Sequence, residues 1–163
     1  MEALNDLVKC GKVRALGASA MYGYQFYNMQ LAARDNGWAQ FQAMENHYNL
    51  LYREDERELI PICRQMNVAL MPYSPLAAGH LCRPEWNSDT IRSKTDVAAK
   101  GKYNRTEKQD MEIVRRVQEL SEKHKVKMSE LALAWLWRIL KLLLTFNVKQ
   151  NITILMKLKS YEV

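Results

Sequence analysis

Three short apolar stretches alternate with longer amphipathic stretches along the first half of the chain. The apolar stretches run from Val13 to Ser19, from Ala39 to Asn46 and from Val68 to Leu76. Each has the length of a buried strand, and each interval between them holds a helix-like pattern. Because parallel strands need such crossovers, this alternation predicts repeated βα units that share one parallel sheet.

Signals for helix starts and stops accompany the amphipathic stretches. We predict helices over Met1–Lys9, Tyr24–Asn36 and Glu54–Met66. Gly37 follows the second of these, where glycine adopts the left-handed conformation of a helix end without steric cost. Pro61 lies inside the third, and we expect it to kink or shorten that helix.

Two further helices are predicted after the third strand. Thr106 and Gln109 have the spacing of a capping box, in which side chains satisfy the first N–H groups of a helix. Ser129 is the predicted N-cap of a helix that runs to about Trp137. The intervening residues 77–105 are predicted to form a long basic loop, and such loops either cover a ligand or remain mobile.

The composition changes near Arg138, after which Leu, Ile and Lys dominate. We therefore predict one domain over residues 1–137 and a divergent basic and apolar tail over residues 138–163. The tail extends the preceding helix, forms a cationic amphipathic helix at a membrane surface, or is sequence foreign to the fold. The charges of Arg138 and Lys141 argue against a helix that spans a membrane.

Charge and composition exclude several functional classes. The 163 residues suffice for one domain, and the net charge is +6. Acidic and basic residues alternate along much of the chain, as in Arg53–Glu58, so no nucleic-acid-binding stripe is expected. The cysteines Cys10, Cys63 and Cys82 lack the spacing of a zinc site and predict reduced thiols in a cytoplasmic protein. The N-terminal segment does not have the pattern of a signal peptide.

The ends of the three predicted strands are the places to search for a binding site. In parallel α/β folds, ligands bind at the carboxyl ends of strands. Ser19, Glu45 and Tyr73 lie near these ends, so we expect them to emerge together. After Tyr73 come a hydroxyl, a proline and small residues whose backbone N–H groups are suited to a phosphate. An aromatic ring beside such donors predicts a nucleotide site.

These segments resemble the aldo-keto reductases. The likeness rests on GKVRALGAS at the first strand, ENHYNLLYREDERELIPIC through the second βα unit and MPYSPLAAGHL at the third. The run from Tyr48 to Leu51 with Arg53, joined to YSPL at the family's interval, is its most specific part. The likeness covers about Met1 to Trp137, and it is greatest to the broad bacterial branch that also resembles potassium-channel β-subunits.

The resemblance implies a fold and an activity. The fold would be a partial (β/α)8 TIM barrel with parallel strands, lacking the N-terminal half and the eighth strand. The three predicted strands would be its fifth to seventh. The activity would be NADPH-dependent reduction of aldehydes or ketones, with a small-molecule carbonyl substrate once the barrel is completed.

The resemblance also implies which residues contact the cofactor NADP. Tyr73 matches the aromatic residue that stacks against the nicotinamide ring, and Ser19 matches the serine that hydrogen-bonds the carboxamide. The segment from Ser74 matches the one that lies along the pyrophosphate. The full implied set is Ser19, Glu45, Tyr73, Ser74, Leu76, Gly79 and Arg83.

Two departures from the family pattern concern the site. Ala20 stands where the family usually has Asn, and Glu45 stands where it usually has Gln. A carboxylate in place of an amide removes a hydrogen-bond donor and adds charge beside the nicotinamide. The family's catalytic Asp, Tyr, Lys and His come from the first four strands, so we assign no catalytic residue and no metal ligand in this sequence.

Three functional hypotheses remain open at this point. The first is a portion of an oxidoreductase that is inactive as an isolated chain and binds NADPH weakly or not at all. The second is a non-enzymatic interaction module that uses open strand edges and the cationic tail to bind a partner or a membrane. Open strand edges also permit self-association. The third is a gene fragment without a function of its own.

Overall fold

The computed structural model describes residues 1–86, 91–103 and 105–139. These residues fall into two compact units. The first comprises Met1–Tyr48 and Arg53–Tyr73, and the second comprises Asn49–Tyr52 and residues 74–139. Among the described residues, no helix has the length and hydropathy needed to cross a membrane.

The first unit is built on a three-stranded parallel sheet. Its strands β1 (Leu16–Ser19), β2 (Phe41–Glu45) and β3 (Ala69–Leu70) lie in the order β1-β2-β3. Helix α2 (Gly23–Asp35) connects β1 to β2, and α3 (Leu59–Gln65) connects β2 to β3. The predicted α/β fold with parallel strands is therefore confirmed. The barrel to which this sheet was expected to belong stays a prediction.

All three strands are shorter than predicted, and the third differs most. β1 and β2 each begin slightly later than expected, whereas β3 contains only Ala69 and Leu70. Beyond Leu70, the N–H groups of Met71 and Tyr73 donate to the carbonyl oxygens of Met44 and Asn46, each at 2.8 Å, but no regular strand continues. The predicted strand Val68–Leu76 is thus wrong for most of its length. An isolated parallel bridge between His47 and Tyr73 still extends the pairing beyond β3.

The helices of the first unit agree with prediction except at α3. Helix α1 (Glu2–Lys9) and α2 begin and end within one residue of the predicted bounds. In place of a long third helix, Glu54–Glu56 form a separate 3-10 turn, and α3 begins only after it. Pro61 then lies in the first turn of α3, where an N–H group has no partner within the helix. The expected shortening by proline is confirmed.

Side chains of β1 and β2 alternate between a buried and an exposed face. Leu16, Phe41 and Met44 are buried, and the Phe41 ring stacks on Phe26 of α2 with centroids 5.9 Å apart. The helices therefore cover one face of the sheet with apolar contacts. The other face is exposed along β1 and at the end of β2, where it carries Gly17, Ser19 and Glu45.

A bulge sets which residues of β1 and β2 lie opposite each other. Leu16 pairs with Phe41 and Ser19 pairs with Glu45, although β2 has one residue more than β1 between these pairs. Gln42 is the extra residue. Because side chains alternate with a period of two, omission of the bulge would turn the end of β2 to the other face.

A buried amide fixes the start of β2. Gln30 of α2 donates from Nε2 to the carbonyl oxygen of Phe41 at 3.0 Å, and its Oε1 accepts the N–H of Phe41 at 2.8 Å. The side chain of Gln30 thus satisfies both backbone groups of Phe41, as a neighbouring strand would. This contact joins α2 to the first residue of β2.

The second unit is helical in the part that the structure describes. A 3-10 turn at Ala77–Gly79 precedes α4 (Ile91–Thr95), α5 (Val97–Tyr103), α6 (Glu107–His124) and α7 (Met128–Ile139). The prediction of a long loop over residues 77–105 is therefore wrong. Residues 91–103 bury few side chains beyond Tyr103, so the apolar periodicity that indicates a helix is nearly absent there.

The start of α6 lies where it was predicted, but its cap differs. Thr106 is the N-cap residue, and its side chain makes no cap hydrogen bond to the helix backbone. Instead the Thr106 hydroxyl donates to Oδ2 of Asp110 at 2.6 Å. The predicted capping box with Gln109 is therefore wrong, because the N–H of Gln109 donates at 3.0 Å to the backbone carbonyl oxygen of Thr106 and not to its hydroxyl.

Helix α7 begins one residue before Ser129, which is thus not its N-cap as predicted. The side chain of Glu130 accepts the N–H of Lys127 at 3.0 Å and satisfies a donor at this helix start. The helix ends its described part at Ile139, and residues 140–163 of the predicted tail lie outside the described residues.

The core of the second unit joins its 3-10 turn to its helices. Buried side chains come from the turn, the segment after it, α5, α6 and α7. They are Ala77, Leu81, Trp86, Tyr103, Val114, Val117, Met128 and Ala132. The chain after β3 is therefore held by its own apolar cluster, which explains why it is compact despite its exposed charges.

We predict that Gln30→Leu lowers the free energy of unfolding by about 3 kcal/mol, because it leaves both backbone groups of Phe41 buried without partners. Urea unfolding monitored by circular dichroism measures this change. Gln65→Leu, at an exposed position on α3, is the matched control and should stay within about 0.5 kcal/mol. Equal effects of the two substitutions would contradict the role assigned to Gln30.

Candidate functional site

The carboxyl ends of β1 and β2 bring a hydroxyl and a carboxylate side by side. Ser19 lies opposite Glu45 in the parallel ladder, and both are exposed. The N–H of Ala20 donates to the carbonyl oxygen of Glu45 at 3.1 Å, so the pairing continues past the last residue of β1. Ala20 then adopts a positive φ of 43°, at which the chain leaves the sheet.

Tyr73 reaches the same end of the sheet from the segment after β3. Its N–H donates to the carbonyl oxygen of Asn46 at 2.8 Å, and Tyr73 lies opposite His47 in a parallel bridge. The rings of Tyr73 and His47 stack with centroids 5.1 Å apart and planes 8° apart. The stack fixes the plane of the tyrosine ring relative to β2.

The geometric expectation for the first unit is met. Ser19, Glu45 and Tyr73 belong to adjacent parallel segments and lie at their carboxyl ends. Glu45 and His47 are two residues apart on β2 and its extension, so they share one face of the sheet. That face displays a hydroxyl, a carboxylate and a stacked aromatic pair. Whether these residues bind a cofactor stays a prediction.

In the second unit, the segment from Ser74 to Arg83 contains the other four predicted cofactor residues. Ser74, Ala77, Ala78 and Gly79 all have positive φ, with 103° at Gly79. Residues other than glycine seldom adopt such angles, so three of them within five positions indicate a backbone held by its surroundings. The shape of this segment could not be read from strand or helix patterns.

The backbone donors of this segment are used within it. The N–H groups of Ala77 and Gly79 donate to the carbonyl oxygens of Ser74 and Leu76, each at 2.9 Å. The expectation that small residues here direct their N–H groups to a phosphate is therefore wrong for these two. Hydrogen bonds that close the 3-10 turn compete for the same donors.

Arg83 supplies the cationic group of the segment. Its guanidinium lies over Gly79, where a Cβ atom added to that glycine would lie 2.8 Å from Nη2 of Arg83. Glycine is therefore favoured at position 79 for two reasons. It adopts the positive φ without steric cost, and it leaves room for the arginine side chain. A guanidinium in this position can bind a phosphate group through two parallel N–H donors.

Asn49 holds the start of the segment, a role that was not predicted. Its side chain is buried, and Nδ2 donates to the carbonyl oxygen of Ser74 at 2.9 Å and to the hydroxyl of Tyr103 at 3.1 Å. Its Oδ1 accepts the N–H groups of Leu51 and Tyr52, both at 2.9 Å. The side-chain amide of Asn49 thus uses both its donor group and its acceptor. Its hydrogen bond to the carbonyl oxygen of Ser74 helps to hold that residue at a positive φ.

A polar network after β2 was also missed. The buried Tyr48 hydroxyl donates to Oε1 of Glu56 at 2.5 Å, and Arg53 binds both carboxylate oxygens of Glu56 at 2.8 Å. Two causes raise the pKa of Tyr48. Burial of the hydroxyl is the larger one, and the hydrogen bond to Glu56 is the second. The hydrogen bonds from Arg53 are the largest cause of the lowered pKa of Glu56. The spacing of Arg53 and Glu56 was the available signal for this pair.

His80 is half-buried in the second unit. Its ring stacks on Trp86 with centroids 4.0 Å apart and meets the edge of the Tyr103 ring at 5.5 Å. Burial and the nearby charge of Arg83 lower the pKa of His80, while Asp110 opposes them. Within the described residues, no group of side chains has the arrangement of a metal site.

Comparison with known proteins identifies the family. Residues 1–162 match the family model described as the aldo/keto reductase family. The chain belongs to the aldo/keto reductase family. The match includes the YNLL run and the YSPL segment that carried the resemblance, and members of this family generally use NAD(P)H.

Individual relatives of this aldo/keto reductase chain come from fungi. A Schizosaccharomyces pombe protein, whose name provisionally assigns it as an aryl-alcohol dehydrogenase, is 49% identical over 83% of this chain and 41% of its own length. An aldo-keto reductase of Fusarium vanettenii is 46% identical over 93% of this chain and 41% of its own length. Versiconal hemiacetal acetate reductase of Aspergillus parasiticus is 43% identical over 83% of this chain and 40% of its own length. The chain spans about two fifths of the length of these curated relatives.

The Tyr48–Glu56–Arg53 network gives this aldo/keto reductase chain a pH-dependent stability. Because the pKa of Glu56 is lowered in the folded state, its contribution is present above the ordinary glutamate pKa of about 4.3. The contribution is lost as the pH falls through the lowered value. We predict that Glu56→Gln costs about 1 kcal/mol at pH 7 and progressively less below pH of about 4.

Urea unfolding of the wild type and Glu56→Gln at a series of pH values tests this prediction. Glu54→Gln is the matched control, since Glu54 pairs with the exposed Arg57 at 3.3 Å and is itself exposed. It should change stability little at any pH. A constant difference between wild type and Glu56→Gln from pH 7 down to pH 3 would show that the ionised carboxylate does not stabilise the fold.

Proposed function

We propose that this chain forms the nicotinamide-binding part of an NADPH-dependent oxidoreductase that reduces aldehydes or ketones to alcohols. In this proposal the parallel sheet belongs to a (β/α)8 barrel, as its strand order and crossover helices allow. Membership of the aldo/keto reductase family supports the class of reaction. NADP is the proposed cofactor.

One observation carries the proposal. Ser19, Glu45 and Tyr73 lie at the carboxyl ends of adjacent parallel segments of one sheet. A planar ring with a carboxamide needs an aromatic surface for stacking and a hydrogen-bonding group at its edge. The Tyr73 ring offers the surface, and the exposed Ser19 hydroxyl offers the hydrogen bond. These residue types fit the nicotinamide end of the cofactor.

The second unit has its own group suited to the cofactor. Arg83 carries a permanent positive charge, and its guanidinium is supported over Gly79. We assign it to a phosphate of the dinucleotide. The backbone N–H groups of Ala77 and Gly79 are excluded from this role because they close the turn.

The substrate class is proposed from the relatives. The names of the relatives refer to an aryl-alcohol dehydrogenase and a hemiacetal acetate reductase, so a small carbonyl compound is the proposed substrate. Carbonyl reduction also needs a proton donor beside the nicotinamide. We assign no described residue to that role, and we expect no reductase activity from this chain alone.

We predict weak NADPH binding by the isolated chain, with a Kd of about 0.1 to 1 mM, because one sheet face contacts only part of the cofactor. Tyr73→Leu should weaken binding about tenfold through loss of the stacking ring. Titration followed by the fluorescence of NADPH measures both constants.

Trp38→Leu is the control for this titration. It removes an aromatic ring from the segment that precedes β2, at the amino end of the sheet, and should leave the Kd unchanged. The proposal fails if the wild type does not bind NADPH at millimolar concentration, or if Tyr73→Leu binds as well as the wild type. A low-micromolar Kd would contradict the partial nature of the site.

We further predict that activity appears on complementation. The chain would be mixed with a polypeptide that carries the first four βα units of an aldo/keto reductase, and consumption of NADPH would be followed with an aromatic aldehyde. The mixture should reduce the aldehyde, and each component alone should not, because the barrel closes only when both are present. Absence of both activity and association would count against the barrel.

A further inference from the structure

Glu45 presents a carboxylate on the exposed face of the sheet, where none of the residues that the structure describes pairs with it as a cation. Ion pairs described in the first unit join other residues, for example Arg34 with Asp35, Arg53 with Glu56 and Arg57 with Glu54. Among the residues that the structure describes, no Lys, Arg or His lies within ion-pair distance of Glu45. Its charge therefore acts on whatever occupies that face.

The surroundings of Glu45 are suited to a flat ring. Ser19 lies directly opposite it on β1, and His47 follows two residues later on the same face, stacked against Tyr73. Aromatic faces carry negative electrostatic potential and attract cations. A carboxylate beside such a face makes the position favourable for a ring that is both planar and positively charged.

The two forms of the proposed cofactor differ in the charge of their ring. Oxidised nicotinamide carries a positive charge, whereas the reduced dihydronicotinamide ring is neutral. Both forms carry the same phosphates, so any repulsion between Glu45 and the phosphates affects them equally. The ratio of their dissociation constants therefore isolates the interaction of Glu45 with the ring.

We infer that Glu45 makes this site selective for the oxidised, cationic form of the nicotinamide cofactor. The inference rests on the proposed function, since it concerns the same sheet face. It follows from the uncompensated carboxylate of Glu45 and its position between Ser19 and the His47–Tyr73 stack.

The size of the effect follows from the charge and its exposure. Two opposite unit charges a few ångströms apart near a protein surface attract each other, and solvent and salt weaken this attraction for an exposed group. A preference of about tenfold for NADP⁺ over NADPH is the expected contribution of Glu45. The neutral amide of Glu45→Gln removes it while it retains the shape of the side chain.

The test compares four dissociation constants with matched controls. NADP⁺ and NADPH would each be titrated into the wild-type chain and into Glu45→Gln by isothermal calorimetry at low ionic strength. Glu2→Gln, in the exposed first turn of α1, changes the net charge equally at a distant position. Glu45→Gln should shift the ratio of the two constants about tenfold towards NADPH, and Glu2→Gln should leave it unchanged.

The outcomes separate this inference from the proposed function. If both dinucleotides bind and the ratio is the same in wild type and Glu45→Gln, the inference is overturned and the proposed function survives. If neither dinucleotide binds, the proposed function fails and the inference fails with it. Equal shifts in Glu45→Gln and Glu2→Gln would assign the preference to net charge, which also overturns the inference.

Two further measurements keep the test valid if Glu45→Gln unfolds. The wild-type preference for NADP⁺ should decline as salt is raised, because the carboxylate is exposed to solvent. The 1-methylnicotinamide cation should also bind more tightly than neutral nicotinamide, as followed by NMR shifts of Tyr73. A salt-independent ratio together with equal binding of the two small rings would overturn the inference.

Discussion

The register between β1 and β2 is the constraint on which the exposed sheet face depends. Gln30 fixes the backbone of Phe41 through two hydrogen bonds, and the bulge at Gln42 then shifts the ladder by one residue. As a result Glu45 points to the same face as Ser19, while Met44 enters the core. Loss of this register would turn the carboxylate of Glu45 towards the core, and burial of an unpaired charge is costly.

Polar side chains of both units hold segments that have little regular structure. In the first unit, Tyr48 and Arg53 converge on Glu56 and fix the chain after β2. In the second unit, Asn49 uses its whole amide to secure Ser74 and Tyr103. Satisfied buried polar groups of this kind specify one backbone arrangement, because each alternative leaves a donor or acceptor without a partner. The predicted cofactor residues adjoin these fixed points in the sequence.

The sequence was sufficient for the parts of the fold that depend on apolar periodicity. It predicted the parallel strands that end near Ser19 and Glu45 and the helices between them, since burial of one face leaves a repeating pattern. It failed where the backbone depends on single contacts. β3 contains only Ala69 and Leu70, and the side chains described in the helices of residues 91–103 bury too little apolar surface to leave a pattern. The roles of Asn49 and Gln30 arise from tertiary hydrogen bonds that spacing along the chain does not encode.

The central claim is that the carboxyl edge of the parallel sheet binds the nicotinamide ring. The most direct test is a map of backbone amide chemical shifts of the ¹⁵N-labelled chain during titration with NADP⁺. The account predicts that, in the first unit, the largest shifts occur at Ser19, Glu45 and Tyr73, with little change at the amino end of β2 near Trp38. Shifts centred near Trp38, or none at saturating NADP⁺, would contradict it.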